Sequence, residues 1–304
     1  MDDDRPYLGI LLMLAFCVLA PLGDAIAKLL GATLSIGALV AVRFGAQAVT
    51  LLPLALAFRL PMPRGNGVLW LIALRTALHV LGIGLMFTAL RHLPLADALA
   101  IVFVMPFLML LAGWLLLDEA VGPHRLGACA AGFAGTLMVI QPNFVESGWP
   151  ALLPLGVALA FVGFMLVTRR IAKAVDPIAL QGVSGLMAIA VLAPLALALP
   201  GLPLLSFAGL GTSNPGLLAL MALIGTVAHL FMTWSLRFAP SATVAPMQYM
   251  EIPFATLIGW LIFRDLPGGL AALGICVTVA AGLYIIGRER AIARRPRPPT
   301  PEAT

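Results

Sequence analysis

Residues 89–119 read ALRHLPLADALAIVFVMPFLMLLAGWLLLDE, and residues 235–265 read SLRFAPSATVAPMQYMEIPFATLIGWLIFRD. Slid over each other at one constant offset, Leu90 meets Leu236, Arg91 meets Arg237 and Pro94 meets Pro240. Further on, Gly113-Trp114-Leu115 meets Gly259-Trp260-Leu261. With one residue inserted in the next loop, Gly127, Cys129 and Gly135 meet Gly274, Cys276 and Gly282. Apolar matches arise easily by chance, but an Arg, a Pro and a Gly-Trp pair in the same order do not. The chain therefore reads as a duplication.

The length of the duplicated unit follows from hydropathy. Hydrophobic residues make up 62% of the 304 residues and charged residues only 10%, with a mean hydropathy of +1.06. Soluble domains average about 45–50% apolar and about 25% charged, so so few charges could not cover a water-facing surface. A spanning helix needs roughly 20 apolar residues. Ten such runs are expected, over 7–29, 34–58, 67–90, 95–117, 123–141, 148–171, 177–199, 215–236, 241–263 and 268–287. Turn chemistry separates them: Pro61 to Gly67, Gln141-Pro142-Asn143, and Pro200 to Pro215.

The reading is thus an all-α integral membrane protein with ten transmembrane helices in two five-helix repeats, over 7–141 and 148–287. Five is odd, so the second repeat enters the membrane from the opposite side. Inverted repeats place a solute site near the midplane between the halves. Loop charge sets the orientation. With the short N-terminus, 1–6, in the cytoplasm, thirteen cations lie inside: Arg5, Arg59, Arg64, Arg125, Arg169, Arg170, Lys173, Arg237 and five tail arginines. Only Lys28, Arg91 and Arg264 lie outside. Both termini are expected to be cytoplasmic, in the inner membrane of a cell.

The basic, proline-rich segment 288–304 reads as a disordered cytoplasmic tail near anionic lipid, not as a nucleic-acid arm. The acidic start lacks the positive region of a signal peptide. Cys17, Cys129 and Cys276 all lie in apolar runs and read as packing residues, not a disulfide framework. The fifth and tenth helices carry small residues every fourth position, Gly127, Ala131, Gly135 and Gly274, Thr278, Gly282. That spacing suits close helix packing, as scaffold or as the face of a homodimer.

Several features together resemble the drug/metabolite transporter superfamily in its EamA-type branch. They are the two repeats, the segment PLGDAIAK (Pro21–Lys28), Arg43-Phe44, the stretch from Leu93-Pro94 to Asp118-Glu119, and its counterpart from Ala239-Pro240 to Asp265. The resemblance covers essentially the whole chain. It implies a secondary transporter of small organic metabolites. Members carry amino acids, nucleotide sugars, vitamins and drugs, and some similar bacterial members import riboflavin or S-adenosylmethionine. An exporter of drugs or amino acids, or a lipid flippase, is compatible with the same fold.

Ionisable groups at membrane depth are costly and point to function. Glu251 lies near the middle of the ninth helix beside Pro253, with Gln248 on its face and Tyr249 adjacent. It could take a proton in one state and release it in another, or pair with an arginine as a structural tie. Arg43, with Gln47 one turn on, could hold an anionic solute group; the resemblance implies that an arginine there is common among members with varied substrates. Arg75 and His79 share a face of the third helix, and Arg75 could snorkel toward the interface. His79 could relay protons, donate to a solute or simply pack. His229, flanked by Thr226 and Thr233, is its rough counterpart, but the two histidines do not align in the repeat. Asp24 and Lys28, four apart near the outer end of the first helix, read as an intrahelical ion pair or a gate. Met86, Met105, Met247, Tyr249, Trp234 and Phe254 could line a cavity for a flat ring.

Other classes fare worse. Gly23-Asp24 lacks the second aspartate of an intramembrane protease, and Ser184 lacks the flanks of a serine nucleophile. There is no metal-ligand spacing and no GxxxxGK[ST] run, so neither a metal, a cofactor nor direct ATP driving is expected. No charged ring or filter loop suggests a channel. The expectation is proton-coupled alternating access around a cavity bounded by the first four helices of each repeat, with Arg43 or Arg75 engaging the solute.

Overall fold

The computed structural model describes residues 6–105, 107–108, 123–172, 174–199, 205–238 and 248–293. Within them the chain is helical throughout: α1 Pro6–Leu30, α2 Ile36–Ala57, α3 Asn66–Ala89, α4 Leu95–Val102, α5 Pro123–Ser147, α6 Leu153–Ile171, α7 Pro177–Ala198, α8 Pro215–Phe238, α9 Glu251–Phe263 and α10 Gly269–Ala293. Short 3-10 turns precede α6 and α8. Of the residues singled out above, Arg5, Gly113 to Leu115, Asp118-Glu119, Lys173, Pro200, Ala239-Pro240, Met247 and the tail beyond Ala293 lie outside the described set. Helix α10 carries on through Arg288 and Arg290 to Ala293.

Among the described residues, six helices are long and apolar enough to cross a membrane: α1, α2, α3, α6 with its leading turn, α7 and α8. Their outer faces are greasy, with Val49, Leu56, Trp70, Leu159 and Leu197 all exposed. In water such a surface would aggregate; in lipid it is the stable one. The chain is a multi-pass membrane protein.

Helix starts follow ordinary capping chemistry. Ser35 Oγ accepts from the Ala38 N–H at 3.2 Å to open α2. Asp176 accepts from Ile178 and Ala179, and Asn214 from Gly216 and Leu217, each ahead of a proline at the first helical position. One expected turn is absent. The Gln141-Pro142-Asn143 stretch stays helical and α5 runs to Ser147. The Asn143 side chain donates to the Val139 carbonyl at 2.8 Å and to Asp97 at 3.0 Å, which fastens this turn of helix to α4.

The fourth and ninth helices are both interrupted. Helix α4 ends at Val102, Phe103 and Val104 form a turn, and helical backbone resumes at Met105. Gln248 is helical, Tyr249 and Met250 form a turn, and α9 starts at Glu251. The expected continuous ninth helix is therefore broken immediately before Glu251. Proline explains both breaks, because it has no N–H to offer the carbonyl four residues earlier. By sequence Pro106 has no N–H for Val102 and Pro253 has none for Tyr249, whose carbonyl accepts from the Ile252 N–H at 3.4 Å instead.

Among the described residues, each helix of the first half touches most a helix of the second. Helix α1 packs on α8, α2 on α7, α3 on α6, α4 on α9 and α5 on α10. Glycines permit the closest approaches. A Cβ at Gly185 would stand 2.7 Å from the Ala48 nitrogen across the α2–α7 contact. A Cβ at Gly274 would meet the Gly135 carbonyl at 2.5 Å across α5–α10. The small-residue faces of the fifth and tenth helices are thus used within the chain, and Gly282 receives the Tyr249 ring. Gly127 has open space beside it.

Candidate functional site

A cavity of about 80 Å³ lies at the helix breaks, between the halves. Among the described residues, those lining it come from α1, α2, α3, α4, α6, α8 and α9 and the turns beside the breaks, and none from α5, α7 or α10. Its wall is mostly apolar, with Phe16, Phe87, Phe103, Phe161, Met86 and Met105. Among the described residues, five polar groups reach it: Asp24, Arg43, His229, Gln248 and Glu251. A few placed polar groups in an apolar wall is the usual make-up of a small-molecule site.

Arg43 enters the cavity from α2 and is almost wholly buried. Its guanidinium donates to the Gly225 carbonyl, approaches Thr226 Oγ1 at 3.4 Å and meets His229 Nδ1 at 2.9 Å. Gly225 makes this possible, because a Cβ there would fall 2.2 Å from Arg43 Nε. Arg43 thus ties α2 to α8 and still faces the cavity. Among the described residues no carboxylate stands within salt-bridge distance of it.

Glu251 occupies the first turn of α9, where the positive end of the helix suits a carboxylate. Asp24 shares the cavity with it. This corrects the expected Asp24–Lys28 pair. Lys28 turns away, donating to the Leu93 carbonyl at 2.8 Å, standing 3.6 Å from Asp265 and lying over the Phe263 ring. The reason is partner choice: the Leu93 carbonyl from the α3–α4 loop, the Asp265 carboxylate from the α9–α10 loop and the Phe263 ring at the end of α9 converge on the ammonium. Asp24 is left as a cavity group.

Arg75 does not reach the cavity. It is fully buried, donates to Thr168 Oγ1 at 2.9 Å and to Ser184 Oγ at 3.0 Å, and lies over the Phe164 ring. Snorkelling to the interface is thereby excluded in this conformation. His79 packs among Phe44, Phe164 and His229, its ring centroid 4.5 Å from that of His229. The two histidines meet even though they do not align in the repeat. Gln47 donates to the Gln181 carbonyl at 2.6 Å, and Gln181 donates to the His229 carbonyl and to Thr233, each at 3.1 Å.

Of the expected ring-lining residues, Met86 and Met105 do line the cavity. Tyr249 instead lies against Phe103, Trp234 stacks on Phe231, and Phe254 packs with Met13, Phe16 and Cys17. Cys17 is buried, and Cys276 is exposed on an outer groove. Sequence reading missed Gln181 and Thr168. The signal for Gln181 was present: an amide three residues before Ser184 on an otherwise apolar helix. It also missed Asp97, buried against Asn143.

Comparison with known proteins agrees with this architecture. The EamA-like transporter family matches twice, over residues 7–141 and 148–287. A riboflavin transporter of Rhizobium johnstonii is 31% identical over 238 residues, covering 75% of this chain and 73% of its own. A riboflavin transporter of Vibrio cholerae is 27% identical over 74% of each chain. An S-adenosylmethionine uptake transporter of Rickettsia prowazekii is 21% identical over 95% of this chain and 96% of its own. One solved crystal structure superposes with a TM-score of 0.62 at 20% identity, covering 94% of this chain and 97% of its own, a likeness of fold alone. Two family matches that together span nearly the whole sequence decide the matter: the chain belongs to the EamA-like transporter family.

Proposed function

We propose that the chain carries a small organic solute across the inner membrane by alternating access, with riboflavin or a compound like it as the substrate. The observation that carries this reading is the cavity between the halves, where two carboxyls, one guanidinium and several aromatic rings meet at paired helix breaks. Broken helices at the midplane are a recurrent way for transporters to present polar groups to a solute. The helix pairing supports an inverted repeat. First packs on third, third on first, and second, fourth and fifth each on its own counterpart, a pattern unchanged when the halves are exchanged. Both termini face the cytoplasm on the loop-charge argument.

The cavity is smaller than the ~300–1,000 Å³ typical of organic ligand sites. A solute of vitamin size enters only when the halves part, so motion of one half against the other is built into this reading. The relatives named as riboflavin transporters favour a flat, hydroxylated solute, which suits a cavity walled by Phe16, Phe87 and Phe161. The relative named for S-adenosylmethionine uptake is matched over more of its length at lower identity, and makes that compound the second solute to try.

In this mechanism Glu251 takes up a proton with each cycle and Arg43 engages the solute. Arg43 is preferred over Arg75 because it alone of the two faces the cavity. The test is Glu251→Gln in proteoliposomes. It should abolish flux driven by a pH difference while the protein remains folded. Wild-type flux from Glu251→Gln across about pH 5 to 8 would remove the proton-coupling role.

A further inference from the structure

Between the cavity and the helix ends that carry the arginine-rich loops lies a second polar layer. Arg75, Thr168, Gln181, Ser184 and Thr233 all sit within about three helical turns of the ends adjoining Arg59, Arg64, Arg169, Arg170 and Arg237. The hydrogen bonds described above join them across α2, α3, α6, α7 and α8.

The layer is unevenly satisfied. Among the described residues, six buried side-chain atoms in it have no partner: Gln47 Oε1, Arg75 Nη2, both ring nitrogens of His79, Gln181 Oε1 and His229 Nε2. A purely structural polar network closes on itself, because an unpaired buried donor or acceptor is costly. This one leaves both donors and acceptors open, with the Phe44 and Phe164 rings against His79. It also carries the Arg75 guanidinium with no carboxylate within salt-bridge distance among the described residues. Arg43 stands on its cavity side, against His229.

We propose that this layer is a second solute station, on the cytoplasmic half of the path, that takes a neutral or anionic hydrogen-bonding group and rejects a cation. It rests on the transport reading above and extends it to specificity. The cavity presents both signs of charge, through Asp24, Glu251 and Arg43; among the described residues the inner layer presents the Arg75 guanidinium and no carboxylate within salt-bridge distance of it. A hydroxyl, amide or imide finds partners in both. A fixed cation such as a sulfonium or a quaternary dye finds a carboxylate only in the first. Passage through both stations therefore selects against S-adenosylmethionine and for an uncharged polar compound.

The experiment places a cysteine at Ser184, in full-length protein whose Cys17, Cys129 and Cys276 are replaced by alanine. The protein is reconstituted in proteoliposomes. Ser184→Cys changes one atom of a side chain that touches Arg75. Reaction rates are measured with an anionic sulfonatoethyl and a cationic trimethylammonioethyl methanethiosulfonate, each divided by its rate on a free thiol in the same buffer. Thr233→Cys serves as a second position. The proposal predicts labelling at both, with the normalised rate favouring the anion by about tenfold or more. Adding Arg75→Gln removes the preference. Equal or cation-favouring rates overturn the proposal. So does an absence of labelling in protein that still carries solute, since the layer is then a closed structural brace. An anion preference in protein that carries no solute sinks the transport reading and not the polarity of the layer.

Discussion

Phe103 and Tyr249 match at the same offset that pairs Leu90 with Leu236, and their rings meet in the core with centroids 5.4 Å apart. Each sits in the turn that interrupts its helix. The two equivalent breaks thus touch each other. The cavity begins beside them, with Phe103, Gln248 and Glu251 in its wall.

The room made for Arg43 is the sharpest steric feature of the site. Gly225→Ala puts a methyl carbon where Arg43 Nε lies, 2.2 Å away. The arginine must leave its contacts with Thr226 and His229. We predict at least a tenfold loss of flux, with destabilisation of about 1–3 kcal/mol read as a lowered Tm in detergent. Gly84→Ala, with open space beside the new methyl, should match wild type in both.

The tie at Lys28 should separate into two unequal parts. Asp265 is well exposed and its ion pair is long, at 3.6 Å. Asp265→Asn should therefore cost no more than about 1 kcal/mol. Lys28→Met also removes the buried-side bond to the Leu93 carbonyl, which joins α1 to the α3–α4 loop. Its Tm should fall further than that of Asp265→Asn. Equal Tm values would mean that the carbonyl bond contributes nothing.

Helix α10 is held on α5 through the Gly135–Gly274 approach. Gly274→Val drives a branched side chain into the Gly135 carbonyl and should destabilise the monomer by about 1–3 kcal/mol or more. Gly127→Val, on the open part of α5, should leave the Tm unchanged. If it instead changes the oligomeric state in detergent, that part of α5 is an interface between copies.

Most of the fold was legible because lipid imposes simple rules. Long apolar runs became helices, and the starts at Pro177 and Pro215 fall where capping and proline chemistry put them. The exceptions are local. Gln141 to Asn143 reads as a turn by composition, but Asn143 has a carbonyl and a carboxylate to bond when the helix continues. The break before Glu251 is written in Pro253, which has no N–H for the Tyr249 carbonyl, so that carbonyl accepts from Ile252 instead, though proline in a membrane helix often only kinks it. The site was half legible. Glu251, Arg43, His229 and Gln248 stand out as polar groups in apolar runs, and all four line the cavity. The partners were not legible. Lys28 prefers Asp265, far off in sequence, to Asp24 one turn away, and Arg75 finds two hydroxyls on two other helices. Sequence spacing reports neighbours on one helix and is silent about contacts between helices.

The central claim is that this chain is a solute carrier driven by a gradient, and flux into proteoliposomes tests it most directly. The labelled panel holds riboflavin, S-adenosylmethionine, amino acids and a cationic dye, each with and without an imposed proton gradient. The account predicts saturable riboflavin flux that rises with the gradient, is lost in Glu251→Gln, and exceeds that of either cation. Saturable flux of the cations in preference to riboflavin, or flux of riboflavin indifferent to the gradient, would contradict it.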